Sequence, residues 1–259
     1  MIPVTCASQF RWASSARSDV GRVREINEDA CLDEPEQGRW AVADGMGGHA
    51  VGDLASRLVV DVLSQMAPPA SMKRFIADAR ARLLDANRQL REEAVRRQVQ
   101  RIGTTVVVLL ACDRFCGYLW AGDSRLYLCR DGQLRQLTRD HSQVEELRSL
   151  GHLTDEEARH HPAQHMITRA VGATDRLELD EDAIEVLDGD VFLLCSDGLT
   201  NEVTNDEILA ALATVDCRRA TDELVDLALA RGGRDNISAV VVHAEDPQAS
   251  DKTLLNPAP

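Results

Sequence analysis

The sequence predicts an α+β domain, and three features carry that prediction. Apolar, β-prone runs gather at residues 103–137, 191–195 and 237–242. Helical spacing of apolar residues governs 52–65, 71–100, 204–213 and 218–230. Glycine, proline and Asp-Gly signals separate the two patterns, as expected where groups of strands alternate with groups of helices. At 259 residues the chain can bury a substantial core, as one large domain or two small ones.

Trp12 to Val20 mixes small, polar and β-prone residues and stops at Gly21, which reads as an opening strand. Val23-Arg24-Glu25-Ile26-Asn27-Glu28-Asp29 follows. It reads either as a solvated loop or as an arginine and two carboxylates delivered to one site by a strand end. Trp40 to Ala43 is a short strand that runs into Asp44-Gly45-Met46-Gly47-Gly48-His49, with three glycines in four residues. Glycine permits a sharp turn and the close approach of an ion or phosphate. Pro68-Pro69 ends the helix over 52–65, and the next helix begins near Ser71. A loop this short packs the pair antiparallel.

Gly103-Thr104-Thr105 opens a β-rich run to Cys112, and Phe115 to Ala121 is the next strand. Gly122-Asp123-Ser124-Arg125 interrupts before Leu126 to Cys129; Asp131-Gly132 then signals a hairpin returning along Gln133 to Leu137. Local pattern reads all of this as one antiparallel meander. Residues 138–168 change character, holding His141, His152, His160, His161 and His165 and a capping box at Thr154 to Glu157. They read as an inserted, mobile segment beside a site. Leu177 to Val186 is acidic and β-like. Val191 to Cys195 is wholly apolar, a buried central strand that ends in Ser196-Asp197-Gly198. Two helices follow, Gly232-Gly233 terminates the second, and Arg234-Asp235-Asn236 leads into the last strand at Ile237. A single domain is expected over 8–244, with 245–259 a disordered tail.

The net charge of −14 argues against nucleic acid and anionic membranes as partners. The seven cysteines lack a Cys-x-x-Cys and several lie in apolar runs. They read as buried free thiols of a reducing cytosol, without zinc. Met1 to Arg17 has no apolar signal region, and the longest apolar run, Val106 to Cys112, is too short to span a bilayer. A soluble, cytoplasmic protein without membrane insertion is expected, and nothing in the sequence calls for more than a monomer.

Asp29, Asp44, Asp123, Asp197 and Asp235 each sit beside an inferred strand or turn boundary, three of them next to glycine. Turns alone do not account for five, because buried strand ends avoid unpaired charge. Oxygen ligands favour Mg²⁺ or Mn²⁺ over zinc. Two such ions about 3.5–4 Å apart can share an aspartate and clamp a phosphoryl group. The planar fork of Arg24 suits a phosphate dianion.

Six motifs, in order, resemble those of the metal-dependent protein phosphatases, the protein phosphatase 2C family, in compact bacterial form. They are Gly21 to Asp29, Ala43 to Gly48, Gly103-Thr104-Thr105, Ala121 to Arg125, Cys195 to Leu199 and Gly233 to Ile237, within a match from Ser18 to His243. The resemblance implies a four-layer αββα sandwich: two antiparallel sheets flanked by antiparallel helix pairs, with a metal centre at one end. It implies two Mn²⁺ or Mg²⁺ ions bridged by Asp44. The Gly45 carbonyl would complete the first ion's shell, and Asp197 and Asp235 would hold the second. Glu28 and Asp29 would act through bound waters, and Asp123 with Asp197 would offer a weaker third site. Arg24 would bind substrate phosphate, Thr104 and Asn236 would support the centre, and 139–168 would be the variable flap. Met46 stands where many eukaryotic members carry a histidine proposed as general acid. The leaving-group proton must then come from elsewhere, such as bound water or the flap's His161. The implied activity is hydrolysis of phosphoserine and phosphothreonine on proteins by direct attack of water, opposing a bacterial Ser/Thr kinase. A silent phosphoprotein-binding regulator and a small-molecule phosphohydrolase are the alternatives.

Overall fold

The computed structural model describes residues 8–47, 51–159, 161–163, 166–214 and 216–249. In chain order the elements are β1 (Arg11–Asp19), β2 (Asp29–Glu34), β3 (Arg39–Met46), α1 (Gly52–Ser64), α2 (Met72–Arg97), β4 (Gly103–Thr104), β5 (Val106–Cys112), β6 (Phe115–Ala121), β7 (Arg125–Arg130) and β8 (Gln133–Gln136). The flap carries α3 (Gln143–Ser149) and α4 (Asp155–Arg159). Then come β9 (Asp180–Glu185), β10 (Val191–Cys195), α5 (Asp197–Thr200), α6 (Asn205–Leu212), α7 (Cys217–Ala230) and β11 (Ile237–Glu245).

Among the described residues the strands form a five-stranded sheet, β1-β11-β10-β7-β8, and a six-stranded sheet, β2-β3-β5-β6-β9 with β4 beside β3. All pairings are antiparallel. Successive side chains on a strand point to opposite faces. Trp40, Val107, Leu109, Phe192, Leu194, Val240 and Val242 therefore fill the space between the sheets. Ala41, Val108 and Leu110 face the outer helices, joining Val59, Leu63, Phe75 and Leu83 of α1 and α2. Leu193 and Val241 pack likewise on Leu224, Val225 and Ala228 of α7 and Ile208 of α6. Two-sided burial explains why the central strands read as unbroken apolar runs although the sheets are antiparallel. The four-layer sandwich is the observed architecture.

Caps set the helix bounds. The Ser71 hydroxyl accepts the Arg74 N–H at 3.3 Å, and the Thr204–Glu207 capping box is formed reciprocally. Asp216 caps α7, which starts one residue before the expected position.

Two readings are corrected, and two elements appear that the sequence did not place. The meander does not exist as one sheet: β5–β6 belong to the six-stranded sheet and β7–β8 to the other, so the chain changes sheets at Gly122-Asp123-Ser124. Gly122 has φ 114°, which a side chain would strain, and a Cβ there would press on Thr105 at 2.6 Å. Strand β2 had no sequence expectation: it is half-buried at the sheet edge and masked in the sequence by Asp33 and Glu34. The flap also holds a capped helix, α3, ahead of the one expected from Thr154. Cys112 is disulfide-bonded, whereas Cys31, Cys116, Cys129, Cys195 and Cys217 are free thiols. The last strand extends to Glu245 and 247–249 turn; the rest of the expected tail lies outside the described residues, as do Gly48, His49, His160 and His165. Among the described residues no helix is long and apolar enough to cross a membrane.

Candidate metal and phosphate site

One end of the sandwich collects the chemistry. There β1, β3, β6 and β10 run out, and β2, β7 and β11 begin. Asp29 and Asp44 stand directly opposite each other in the β2–β3 ladder. Asp123 lies in the crossover between sheets, Asp197 opens α5 immediately beyond β10, and Asp235 sits just ahead of β11. Antiparallel pairing thus brings to one rim carboxylates that lie up to some 200 residues apart in sequence.

Their electrostatics show the proximity. Burial, and then Asp29, Asp197, Asp123 and Asp235 in that order, push the Asp44 carboxyl well above the usual range. Burial raises Asp29 to about 7, with Asp197 and Asp235 adding to it and the Ser238 and Ser196 hydroxyls opposing. Burial, Asp197 and Asp140 raise Asp123 to about 7 against the pull of Arg125. Like charges in low dielectric disfavour ionisation of each.

Asp29 is the most constrained. Its Oδ2 accepts the Ser196 hydroxyl at 2.8 Å, while Oδ1 is buried with no hydrogen-bond partner. An unmatched buried polar atom costs about 1–3 kcal/mol. A cation at the rim would relieve both this atom and the mutual repulsion. The all-oxygen donor set suits hard divalent ions such as Mn²⁺ or Mg²⁺. Among the described residues no three acidic, histidine or cysteine side chains already close on one point as a cage. The aspartates are neighbours around a rim rather than a preassembled shell.

The backbone beneath them is fixed by residues of neighbouring strands. Thr104 Oγ1 donates to the Asp44 carbonyl at 2.9 Å, and the Asp44 N–H donates to Thr105 Oγ1 at 3.1 Å. Thr105 Oγ1 bonds Ser124 Oγ at 2.7 Å, coupling the Asp44 turn to the Asp123 crossover. Asn236 Oδ1 accepts the Glu28 N–H at 2.8 Å, and its Nδ2 donates to the Val20 and Ile26 carbonyls at 2.9 and 3.0 Å. Gly45 is hemmed in: a Cβ there would overlap the Gly52 carbonyl and lie 2.6 Å from that of Glu28. Glu28 Oε1 accepts the Gly52 N–H at 3.1 Å, so this carboxylate sits at the N-terminus of α1, where the helix dipole favours it.

Arg24 is half-exposed and its Nη2 donates to Asp235 Oδ2 at 2.7 Å. That bond, then Glu28 and Asp44, raises its pKa, which places the guanidinium over the acidic rim. Among the described residues, His161 Nδ1 accepts the Ala163 N–H at 3.2 Å inside the flap. The histidine built into the rim is His141, which the sequence did not single out. Its Nδ1 accepts the Gly122 N–H at 3.2 Å, its own N–H donates to the Gly122 carbonyl at 2.9 Å, and its ring stacks on Trp120. Ser196 and Ser238 were also missed. Adjacency of Ser196 to Asp197 was the available signal, but a serine looks alike in a turn and in a network.

Comparison with known proteins agrees with this layout. The family model "Protein phosphatase 2C" matches residues 21–232. The Mycobacterium tuberculosis "Serine/threonine protein phosphatase PstP" is 37% identical over 238 residues, 90% of this chain and 45% of that protein. The chain therefore spans about half the length of that relative. A solved structure described as "PppA, a key regulatory component of T6SS in Pseudomonas aeruginosa" superposes with TM-score 0.85 at 45% identity, covering 90% of this chain and 97% of that one. The catalytic domain of PstP in complex with two manganese ions gives TM-score 0.83 at 35% identity, covering 92% and 100%. The ion pair in that relative agrees with the metal dependence that the acidic rim implies here. The chain belongs to the protein phosphatase 2C family.

Proposed function

We propose that the chain is a Ser/Thr protein phosphatase, a single catalytic domain over 8–244 that hydrolyses phosphoserine and phosphothreonine on proteins. The observation that carries the reading is the five-aspartate rim with Arg24 hydrogen-bonded to one of its members. Two divalent cations at this rim would neutralise phosphoryl oxygens and lower the pKa of a shared water. Asp44 and the Gly45 carbonyl, with Asp197 and Asp235, would hold them. Glu28 and Asp29 would bind through water, and Asp123 with Asp197 would serve a weaker third ion. Arg24 retains donors for a phosphate beyond the one given to Asp235. Thr104 and Asn236 hold the two loops in place. The phosphoryl group is thereby oriented for in-line attack by water, and positioning and charge supply most of the acceleration.

A covalent route through cysteine is disfavoured. Burial pushes the thiols of Cys31, Cys116, Cys129, Cys195 and Cys217 above their ordinary range, away from the nucleophilic thiolate. Relatives named as Ser/Thr protein phosphatases support a phosphoprotein substrate, which an opposing Ser/Thr kinase would supply. The description of the Pseudomonas relative makes a secretion-linked phosphoprotein a substrate worth testing. We place the protein in the cytoplasm as a monomer, where kinase substrates reside. The decisive experiment is turnover of a phosphothreonine peptide with Mn²⁺, then with excess chelator, beside p-nitrophenyl phosphate. Peptide turnover that collapses on chelation and returns with Mn²⁺ is expected. Full turnover in chelator refutes the metal-dependent reading, and hydrolysis of the aryl phosphate alone refutes the protein substrate.

A further inference from the structure

The segment that carries Arg24 is tied down at nearly every residue, yet it leaves two aliphatic side chains in solvent. The Gly21 N–H donates to Asp19 Oδ1 at 2.9 Å, and the Arg22 N–H donates to the Gly233 carbonyl at 2.7 Å. Arg22 Nε donates to the Leu229 carbonyl at 2.8 Å, turning that guanidinium toward α7. Asn236 grips the Val20 and Ile26 carbonyls, and Asn27 Nδ2 donates to Ser18 Oγ at 2.8 Å. Val23 is 66% exposed and Ile26 45%, on either side of Arg24. Glu25, between Arg24 and Ile26, is exposed as well, and Glu28 and Asp44 lie within electrostatic reach of Arg24. A substrate segment laid over the loop meets an arginine between two aliphatic groups, bordered by negative charge.

We propose that Val23 and Ile26 form an apolar subsite continuous with the phosphate site. It seats aliphatic side chains next to the phosphorylated residue and so favours phosphopeptides with apolar flanks over those with acidic flanks. The inference rests on the phosphatase reading and adds the class of peptide. Exposed aliphatic groups gain by being covered, and acidic flanks are repelled by the rim.

The test compares kcat/KM in Mn²⁺ for a phosphothreonine peptide with Leu and Val flanks, the same peptide with Glu flanks, and p-nitrophenyl phosphate. The wild type is expected to prefer apolar flanks about tenfold, the scale on which small apolar pockets discriminate. In the Val23→Ser, Ile26→Ser double variant that preference should vanish, with the ratio of apolar-peptide to aryl-phosphate efficiency falling to match. Val23→Leu, Ile26→Leu should retain it. Selectivity unchanged in the serine variant overturns the subsite, as does an equal loss on all three substrates, which would mark a merely structural loop. Wild-type turnover of the aryl phosphate but of neither peptide overturns the phosphatase reading itself, and that outcome needs no variant to be seen.

Discussion

The two ends of this sandwich treat buried charge in opposite ways. At the end away from the site, each buried charge described above the core meets its opposite. Arg39 pairs with Glu34 and donates to the Met66 and Ser64 carbonyls at 2.6 Å each, satisfying the groups that follow α1. Asp190, 1% exposed, takes two bonds from Arg130 at 2.7 and 2.6 Å and one from the Leu187 N–H at 2.8 Å. At the site end, aspartates face aspartates and one Asp29 oxygen has no partner. The same strands run between the two ends. Arg39 and Asp44 lie on β3, and Arg130 stands at the end of β7 opposite Asp123. One end is arranged for stability; on the proposed reading the other gives up stability for a cation and a phosphate, a familiar trade at active sites.

The strongest way to break that comparison is at its centre. Asp44→Asn should cut phosphatase turnover about a thousandfold, the upper scale for losing one electrostatic group of an active site. In chelator the same variant should melt higher than wild type by roughly 2–4 °C, the shift that about 1 kcal/mol makes in a domain of this size. Loss of activity with loss of stability would mean that Asp44 serves the fold. At the other end the pattern should invert. Asp190→Ala removes the acceptor shared by the partly exposed Arg130 and the Leu187 N–H, and losing such bonds costs about 1–3 kcal/mol. Urea unfolding should show that loss, while turnover per folded molecule stays near wild type.

Sequence and structure agreed most where periodicity is enforced by burial. Val191–Cys195 and the α1–α2 pair around Pro68-Pro69 were legible because both faces of the strand, and one full stripe of each helix, are apolar. The five aspartates were legible because each neighbours a strand end. Sheet assignment was not. Nothing local in Gly122-Asp123-Ser124 distinguishes a hairpin from a passage between sheets, since that depends on the partners of β6 and β7 far along the chain. Strand β2 was hidden because an edge strand needs little apolar content. His141 was hidden among the other flap histidines because its role is to bond a backbone amide of the crossover, which leaves no spacing signal.

The gentlest probe concerns the exposed charges around the acidic rim, where opposite signs do pair. Glu207 bonds Arg231, the Thr204 hydroxyl at 2.7 Å and the Thr204 N–H at 2.9 Å, and these partners, Arg231 first, depress its carboxyl to about 2. A depressed carboxylate binds fewer protons folded than unfolded. Its contribution is complete above the unfolded value near 4.3 and is lost as pH falls through about 2. Because the pair is fully exposed, solvent screens it and the effect is small. Glu207→Gln keeps a polar group in the capping position and removes the titration. Between pH 5 and pH 2 the wild type should lose slightly more melting temperature than the variant, by about 1–2 °C. Identical acid profiles would show that this ion pair contributes nothing to holding α6 against α7. The contrast between the ends would then rest on buried charge alone.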